Sequence, residues 1–305
     1  MKYTGPVYRP PFEDGSLLLQ ATVGCSHNSC TFCSMYRDVP FQVESMEQIE
    51  QDLLETREKR PWYKRVFLLG GDAFTLDAAR LREIARKARE ILPNVQTISM
   101  YASILNIMSK TDEELQDLRA QGINDLNIGF ETALDDRLLY FNKGFTVAQA
   151  RAQLLRLKNA GMDFSLNIII GAAGMDRAFE NAAANSQFLN EIQPALIFVG
   201  TMHMDKGTPM RAEMEAGTFV ENTIGQNILE EMELLKGLEM EHTYFYGRHV
   251  SNVIPVYGML PDEKESMLRT MEEELRDIPE DYLAARPERG SEGAAIINGR
   301  ASKNP

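Results

Sequence analysis

Cys25, Cys30 and Cys33 are the only cysteines in a chain of 305 residues, and all three fall in one loop, Gly24-Cys25-Ser26-His27-Asn28-Ser29-Cys30-Thr31-Phe32-Cys33. An odd number of thiols so close together is a poor disulfide framework and suits a metal better. Thiolates bind iron and zinc, but three are one short of the four that close an ordinary iron–sulfur or structural zinc site. A 4Fe–4S cluster on this loop would keep one iron without a protein ligand, open to an outside one.

Other residues able to do chemistry recur at the ends of apolar runs. Gly70-Gly71-Asp72 closes the run Arg65 to Leu69, Ser103 closes Thr97 onward, and Glu131 closes Ile123 to Phe130. Asn167 lies in the run Phe164 to Ile170, which ends at Gly171, and Thr201 closes Ala195 onward. An acid directly after a buried strand is a candidate for function. Lys143 precedes a helix, and Arg248 and His249 follow the aromatic run Tyr244-Phe245-Tyr246.

The elements that must position these residues alternate. The apolar runs, beginning with Leu17 to Val23, read as strands. Between them lie amphipathic helices with capping signals at Ser45–Gln48, Thr111–Glu114 and Thr146–Gln149. Six such βα units imply a parallel sheet with right-handed crossovers and helices outside. Periodicity alone does not separate a doubly wound open sheet from an incomplete barrel. The special residues sit at the C-terminal ends of all six strands, where barrel active sites converge. The expected fold is therefore α/β, a partial (βα)6 TIM-like barrel over residues 1–241, with residues 1–15 extended. Residues 242–305 form a C-terminal extension over the open side, with one helix opened by Pro261 and a mobile tail from Arg286.

The cysteine loop resembles the signature of the radical S-adenosylmethionine (SAM) superfamily, with C-x4-C-x2-C in place of the usual C-x3-C-x2-C. The resemblance continues through Gly70-Gly71-Asp72, which is similar to the family's Gly-Gly-Glu turn. It runs on through Ile128-Gly129-Phe130-Glu131-Thr132, Asn142-Lys143-Gly144-Phe145-Thr146, Asn167-Ile168-Ile169-Ile170-Gly171 and Gly207-Thr208-Pro209. The subgroup it resembles contains methylthiotransferases and oxygen-independent coproporphyrinogen oxidases. The resemblance implies that Cys25, Cys30 and Cys33 hold a 4Fe–4S cluster. It also implies SAM contacts from Phe32, Gly70, Gly71, Asp72, Ser103, Glu131, Lys143, Asn167 and Thr201. The implied chemistry is one-electron cleavage of SAM to a 5′-deoxyadenosyl radical, fed by a donor such as flavodoxin or ferredoxin, followed by hydrogen abstraction from a substrate. Arg248 and His249 are the candidate catalytic residues toward that substrate.

Composition narrows the partners. The net charge is −13, which disfavours nucleic acid and leaves a small molecule or a peptide as substrate. No apolar stretch of membrane-spanning length and no secretory leader are visible, so the expected location is cytoplasmic. With no further cysteines and no N-terminal cobalamin domain, auxiliary-cluster and cobalamin-dependent reactions are disfavoured. Two readings from other classes stay open: a zinc module using the three cysteines with His27 or His249, and a TIM-like enzyme acting on a phosphorylated metabolite.

Overall fold

The structure, a computed structural model, describes residue 1 and residues 3–287. The first strands are β1 (Leu17–Gln20), β2 (Thr22–Val23) and β3 (Gln42–Val43), followed by α1 (Met46–Lys59) and β4 (Arg65–Leu69). Next come α2 (Ala78–Ile91), β5 (Thr97–Ala102), α3 (Ile104–Met108), α4 (Asp112–Ala120) and β6 (Ile123–Glu131). They are followed by α5 (Asp135–Tyr140), α6 (Val147–Asn159), β7 (Phe164–Ile170), α7 (Ala178–Ile192) and β8 (Leu196–Thr201). The chain continues with α8 (Pro209–Ala216), α9 (Ile224–Gly237), β9 (Thr243–Tyr246), β10 (Tyr257–Leu260), α10 (Lys264–Asp277) and α11 (Glu280–Ala284).

One eight-stranded sheet runs β1-β4-β5-β6-β7-β8-β9-β10. Its neighbours are parallel from β1 through β9, and β10 is antiparallel to β9. The six expected parallel strands are therefore seven. Thr243–Tyr246 does not merely cover the open side but pairs with β8, its alternating burial matching a strand with one face on the core. Among the described residues after 241 there are two helices rather than one. Residues 288–305, most of the tail expected to be mobile, lie outside the described residues, while Arg286 Nη1 donates to Glu221 O at 3.1 Å. The apolar run Leu17 to Val23 is also divided, because Thr22 and Val23 leave the sheet to pair with Gln42 and Val43.

Alternation sets the two faces of the sheet. On β7, Phe164, Leu166, Ile168 and Ile170 join the core beneath the helices, each burial contributing about 1.5–3 kcal/mol. Ser165, Asn167 and Ile169 turn to the inner face. The expected capping boxes form in both directions at Thr111–Glu114 and Thr146–Gln149. At Ser45 only half of one forms, since the Ser45 N–H donates to Glu44 Oε1 at 2.9 Å instead of to Gln48.

The inner face is partly filled by the chain's own N-terminal segment. Thr4 and Gln20 exchange two hydrogen bonds of 2.9 Å, and Val7 packs on Phe67 and Leu69. Phe12 meets Phe198 and Tyr246 at ring separations of 6.0 and 5.8 Å. At the strand starts, buried Glu13 accepts from Arg65 Nη2 and Ser99 Oγ, both at 2.8 Å. The N-terminal segment thus covers part of the inner face toward the strand starts, away from the strand C-termini where the cysteine loop lies.

Candidate active site

The cysteine loop is gripped by segments from the ends of three strands. After β4, the Asp72 carboxylate accepts the Ser26 N–H at 2.7 Å and the Ser26 hydroxyl, and Asn106 Nδ2 donates to it at 3.3 Å. After β6, Thr31 N–H donates to Phe141 O at 3.2 Å and Asn142 Nδ2 to Ser29 O at 3.0 Å. His27 Nε2 lies 2.5 Å from Asn142 O. After β8, Asp205 Oδ2 accepts the Ser34 N–H at 3.1 Å and its hydroxyl at 2.6 Å. Between Cys25 and Cys30 the chain turns at Asn28, whose φ of +39° suits asparagine and whose Nδ2 donates to Tyr36 O at 2.7 Å.

Glycines bring the loop and the β4 turn into contact. A Cβ at Gly70, where φ is +130°, would lie 1.7 Å from Thr22 Oγ1, and one at Gly71 would lie 2.6 Å from Cys25 Cβ. Gly71 is therefore required by the packing of the cysteine loop itself, and its N–H donates to Gly24 O at 2.7 Å.

Buried Lys143 pairs with buried Glu131, Nζ to Oε1 at 2.8 Å. Burial disfavours the ammonium, but Glu131 and the neighbouring Cys30 hold it charged, with its pKa above the usual lysine range. Gly129 makes room for the pair, since a Cβ there would stand 2.6 Å from Glu131 Oε1 and 3.4 Å from Lys143 Nζ. Glu131 itself takes a φ of +78°, an unusual backbone for glutamate. The thiols respond to their surroundings. Burial pushes Cys25 and Cys33 up to about 11. Burial also acts on Cys30, but Lys143 and His27 outweigh it and bring that thiol below its usual value.

The other candidates divide. Phe32 packs edge-on to Phe141 at 5.0 Å in an apolar cluster with Ile169, Met202 and Met210. Asn167 lies on the inner face of β7 opposite Gly129 and Phe198. Thr201 N–H donates to Asn252 Oδ1 at 2.8 Å, tying the end of β8 to the loop that carries His249. Ser103 caps α3 and exchanges hydrogen bonds with Asn106. Arg248 is exposed, its guanidinium 4.7 Å from the Tyr257 ring on the edge strand. The roles of Asn106 and Asp205 escape sequence reasoning because their partners Asp72 and Ser34 are distant in the chain. Among the described residues, no three of His, Cys, Asp and Glu stand close enough together to hold a metal ion between them as the side chains lie.

Residues 19–183 match the model of the radical SAM superfamily, and the chain belongs to that superfamily. Its members bind a 4Fe–4S cluster and SAM. A curated relative is the heme chaperone HemW of Bacillus subtilis (strain 168), 24% identical over 155 residues, which are 49% of this chain and 41% of that protein. The chain thus spans about two fifths of that relative's length. Among solved structures, methylornithine synthase (PylB) matches with a TM-score of 0.50 and 15% identity over 90% of this chain and 83% of that one. The cobalamin-dependent SAM radical enzyme OxsB matches with a TM-score of 0.56 and 15% identity over 85% of this chain and 46% of that one. The methyltransferase TsrM of Kitasatospora setae gives 0.53 and 15% over 66% and 39%. At these identities the likeness is one of fold, the partial TIM barrel. Two of these structures are cobalamin enzymes, so the fold does not by itself separate reaction types.

The residues present fit a cluster with an open iron. Three free thiols lie on a loop fixed from three sides, Lys143 stands beside Cys30, and Gly129 leaves room for the Lys143–Glu131 pair at that place.

Proposed function

We propose that the chain is a radical SAM enzyme acting on a small substrate seated between the cysteine loop and the His249 loop. The observation that carries this reading is the buried Lys143–Glu131 pair next to Cys30. A buried ion pair is costly to keep for stability alone, and a cation and an anion side by side near Cys30 would suit a zwitterionic ligand. When bound, the cluster and SAM would supply one-electron radical chemistry, with methionine and 5′-deoxyadenosine as the products of SAM cleavage. A flavodoxin or ferredoxin would provide that electron.

The protein's own residues bind, orient and exclude water. Cys25, Cys30 and Cys33 would hold the cluster, Lys143 would meet the SAM carboxylate and Glu131 its ribose or amino-acid end. Phe32 and its apolar neighbours would flank the adenine. Residues 1–241 would carry this machinery, while the C-terminal extension would add β9 and the substrate-facing loop. The N-terminal segment, with buried Val7 on Phe67 and Leu69, would fill part of the inner face below the site and limit the water that reaches it.

Anaerobic reconstitution with iron and sulfide, followed by dithionite and SAM, tests the proposal. The expected products are methionine and 5′-deoxyadenosine. A protein that holds a cluster yet releases neither product would overturn it.

A further inference from the structure

Four residues separate Cys25 from Cys30, and they are tied to two different strand ends. Ser26 is held by Asp72 after β4, whereas His27 and Ser29 both meet Asn142, in the turn after α5. His27 Nε2 lies 2.5 Å from Asn142 O and 3.2 Å from Ser29 Oγ. Asn142 Nδ2 donates back to Ser29 O and Oγ at 3.0 and 3.1 Å. A backbone carbonyl only accepts, so His27 carries a proton on Nε2. That nitrogen has no lone pair left for iron or zinc. Farther along the loop, Thr31 N–H donates to Phe141 O at 3.2 Å and its hydroxyl to Tyr140 O at 3.0 Å. Alternate residues of the cysteine loop, His27, Ser29 and Thr31, therefore hold residues 140–142.

Lys143 comes next in the chain, and the carbonyl that His27 grips belongs to its own peptide group. The peptide is planar, so Asn142 O and Lys143 N–H turn together. Lys143 N–H donates to Leu138 O at 3.0 Å, which pins the opposite edge of the same plane. The backbone on either side is left-handed, with φ of +55° at Asn142 and +76° at Gly144. A Cβ at Gly144 would stand 3.1 Å from Leu105 Cδ1 and 3.8 Å from His27 Cε1, so both side chains border the turn. Asn142 is exposed while Lys143 is buried, with Nζ 2.8 Å from Glu131 Oε1. An exposed turn thus aims a buried cation, and His27 fixes the plane from which the lysine departs.

We infer that His27 is a positioning residue for SAM. Its Nε2–H orients the Asn142–Lys143 peptide and so sets where the Lys143 ammonium meets the SAM carboxylate, while His27 touches neither iron nor SAM. This rests on the reading of Lys143 as the carboxylate contact. The four residues between Cys25 and Cys30 then serve two anchors, Asp72 for the loop and Asn142 for the lysine.

The test compares His27→Ala, His27→Gln, Lys143→Met and the double variant His27→Ala/Lys143→Met as anaerobically reconstituted holoproteins. Iron and sulfide content and the electron paramagnetic resonance spectrum of the reduced cluster without SAM are read first. Both should match the parent in every variant, because His27 does not ligate. Calorimetric titration with SAM should then show His27→Ala weakened about five- to tenfold, the worth of roughly one hydrogen bond. His27→Gln keeps an N–H donor and should recover most of that loss. In the Lys143→Met background His27→Ala should cost nothing further, since no lysine is left to place. Unchanged affinity in His27→Ala, no recovery with Gln, an undiminished loss in the Lys143→Met background, or an altered resonance spectrum would each overturn the inference. Should His27→Ala not hold the cluster, His27→Phe, which keeps the ring volume without the donor, is read in its place. Loss of the cluster in both would make His27 a support of the cluster itself and overturn the inference equally. A parent protein that binds no SAM sinks the radical SAM reading. A parent that binds and cleaves SAM beside an unaffected His27→Ala sinks only the role of His27.

Discussion

Asp72 binds Ser26 twice, through the backbone N–H at 2.7 Å and through the hydroxyl, so the acid of the Gly-Gly-Asp turn is engaged by the residue next to Cys25. The aspartate thereby fixes the start of the cysteine loop against the end of β4.

Replacing Cys25, Cys30 or Cys33 by Ala should abolish the broad absorbance of an anaerobically reconstituted cluster, because no other cysteine can substitute. Asp72→Ala should keep all three thiols yet lower iron and sulfide content or slow reconstitution, as the loop loses two hydrogen bonds worth about 1 kcal/mol each. Full, normally timed loading of Asp72→Ala would mean the contact is dispensable.

Lys143→Met and Glu131→Gln should each weaken SAM binding by about 1–3 kcal/mol while leaving the cluster spectrum unchanged. Because the two groups pair at 2.8 Å, the double variant should lose less than the sum of the singles. Calorimetric titration of SAM into holoprotein checks this, and strictly additive losses would argue that they act on separate groups.

Gly129→Ala should disturb SAM affinity as well, although glycine makes no polar side-chain contact. The added methyl would press on Glu131 Oε1, so the ion pair must shift. Unaltered affinity in Gly129→Ala would show that the pair has slack.

A pH dependence follows from Glu230, a fully buried carboxyl of α9. Burial pushes its pKa up from 4.5 to about 7, although Asn181, the Gly171 N–H and Asn222 donate to it. Its neighbour Glu231 is raised by burial and by Glu230. The folded protein therefore keeps protons that the unfolded chain has released. Stability is highest below about pH 4.5 with respect to these groups and falls as pH rises toward about 7, by on the order of 3 kcal/mol for Glu230. Denaturant midpoints measured from pH 5 to 7.5 should decline in the parent protein and flatten in Glu230→Gln. An identical slope in both would count against the assignment.

Sequence patterns reveal features written within one turn or one strand. The Thr111–Glu114 and Thr146–Gln149 boxes span three residues, and the buried alternation of β7 is visible as Leu166, Ile168 and Ile170. The grip on the cysteine loop was not legible, because Ser26–Asp72, Ser29–Asn142 and Ser34–Asp205 join residues 46, 113 and 171 positions apart. Serines and asparagines of this kind look like ordinary turn residues until the fold brings their partners beside them. β9 was hidden for a different reason. Thr243–Tyr246 is only four residues long, and its inner positions are tyrosines, so it lacks the continuous apolar signature of β7.

The N-terminal segment beneath the mouth also constrains how the protein is made. Phe12 packs against Phe198 and Tyr246, which leave the ribosome roughly ten to fifty seconds later at about 5–20 residues per second. Until then that stretch has apolar side chains and no seat, so it must be tolerated as loose chain or shielded by a chaperone. Its docking is a late event, with long-range contacts that add little speed to folding. A protease or a delayed ribosome would therefore meet the inner face before this segment is seated on it, and the contact of Phe12 with Phe198 and Tyr246 would mark the completion of that end of the sheet.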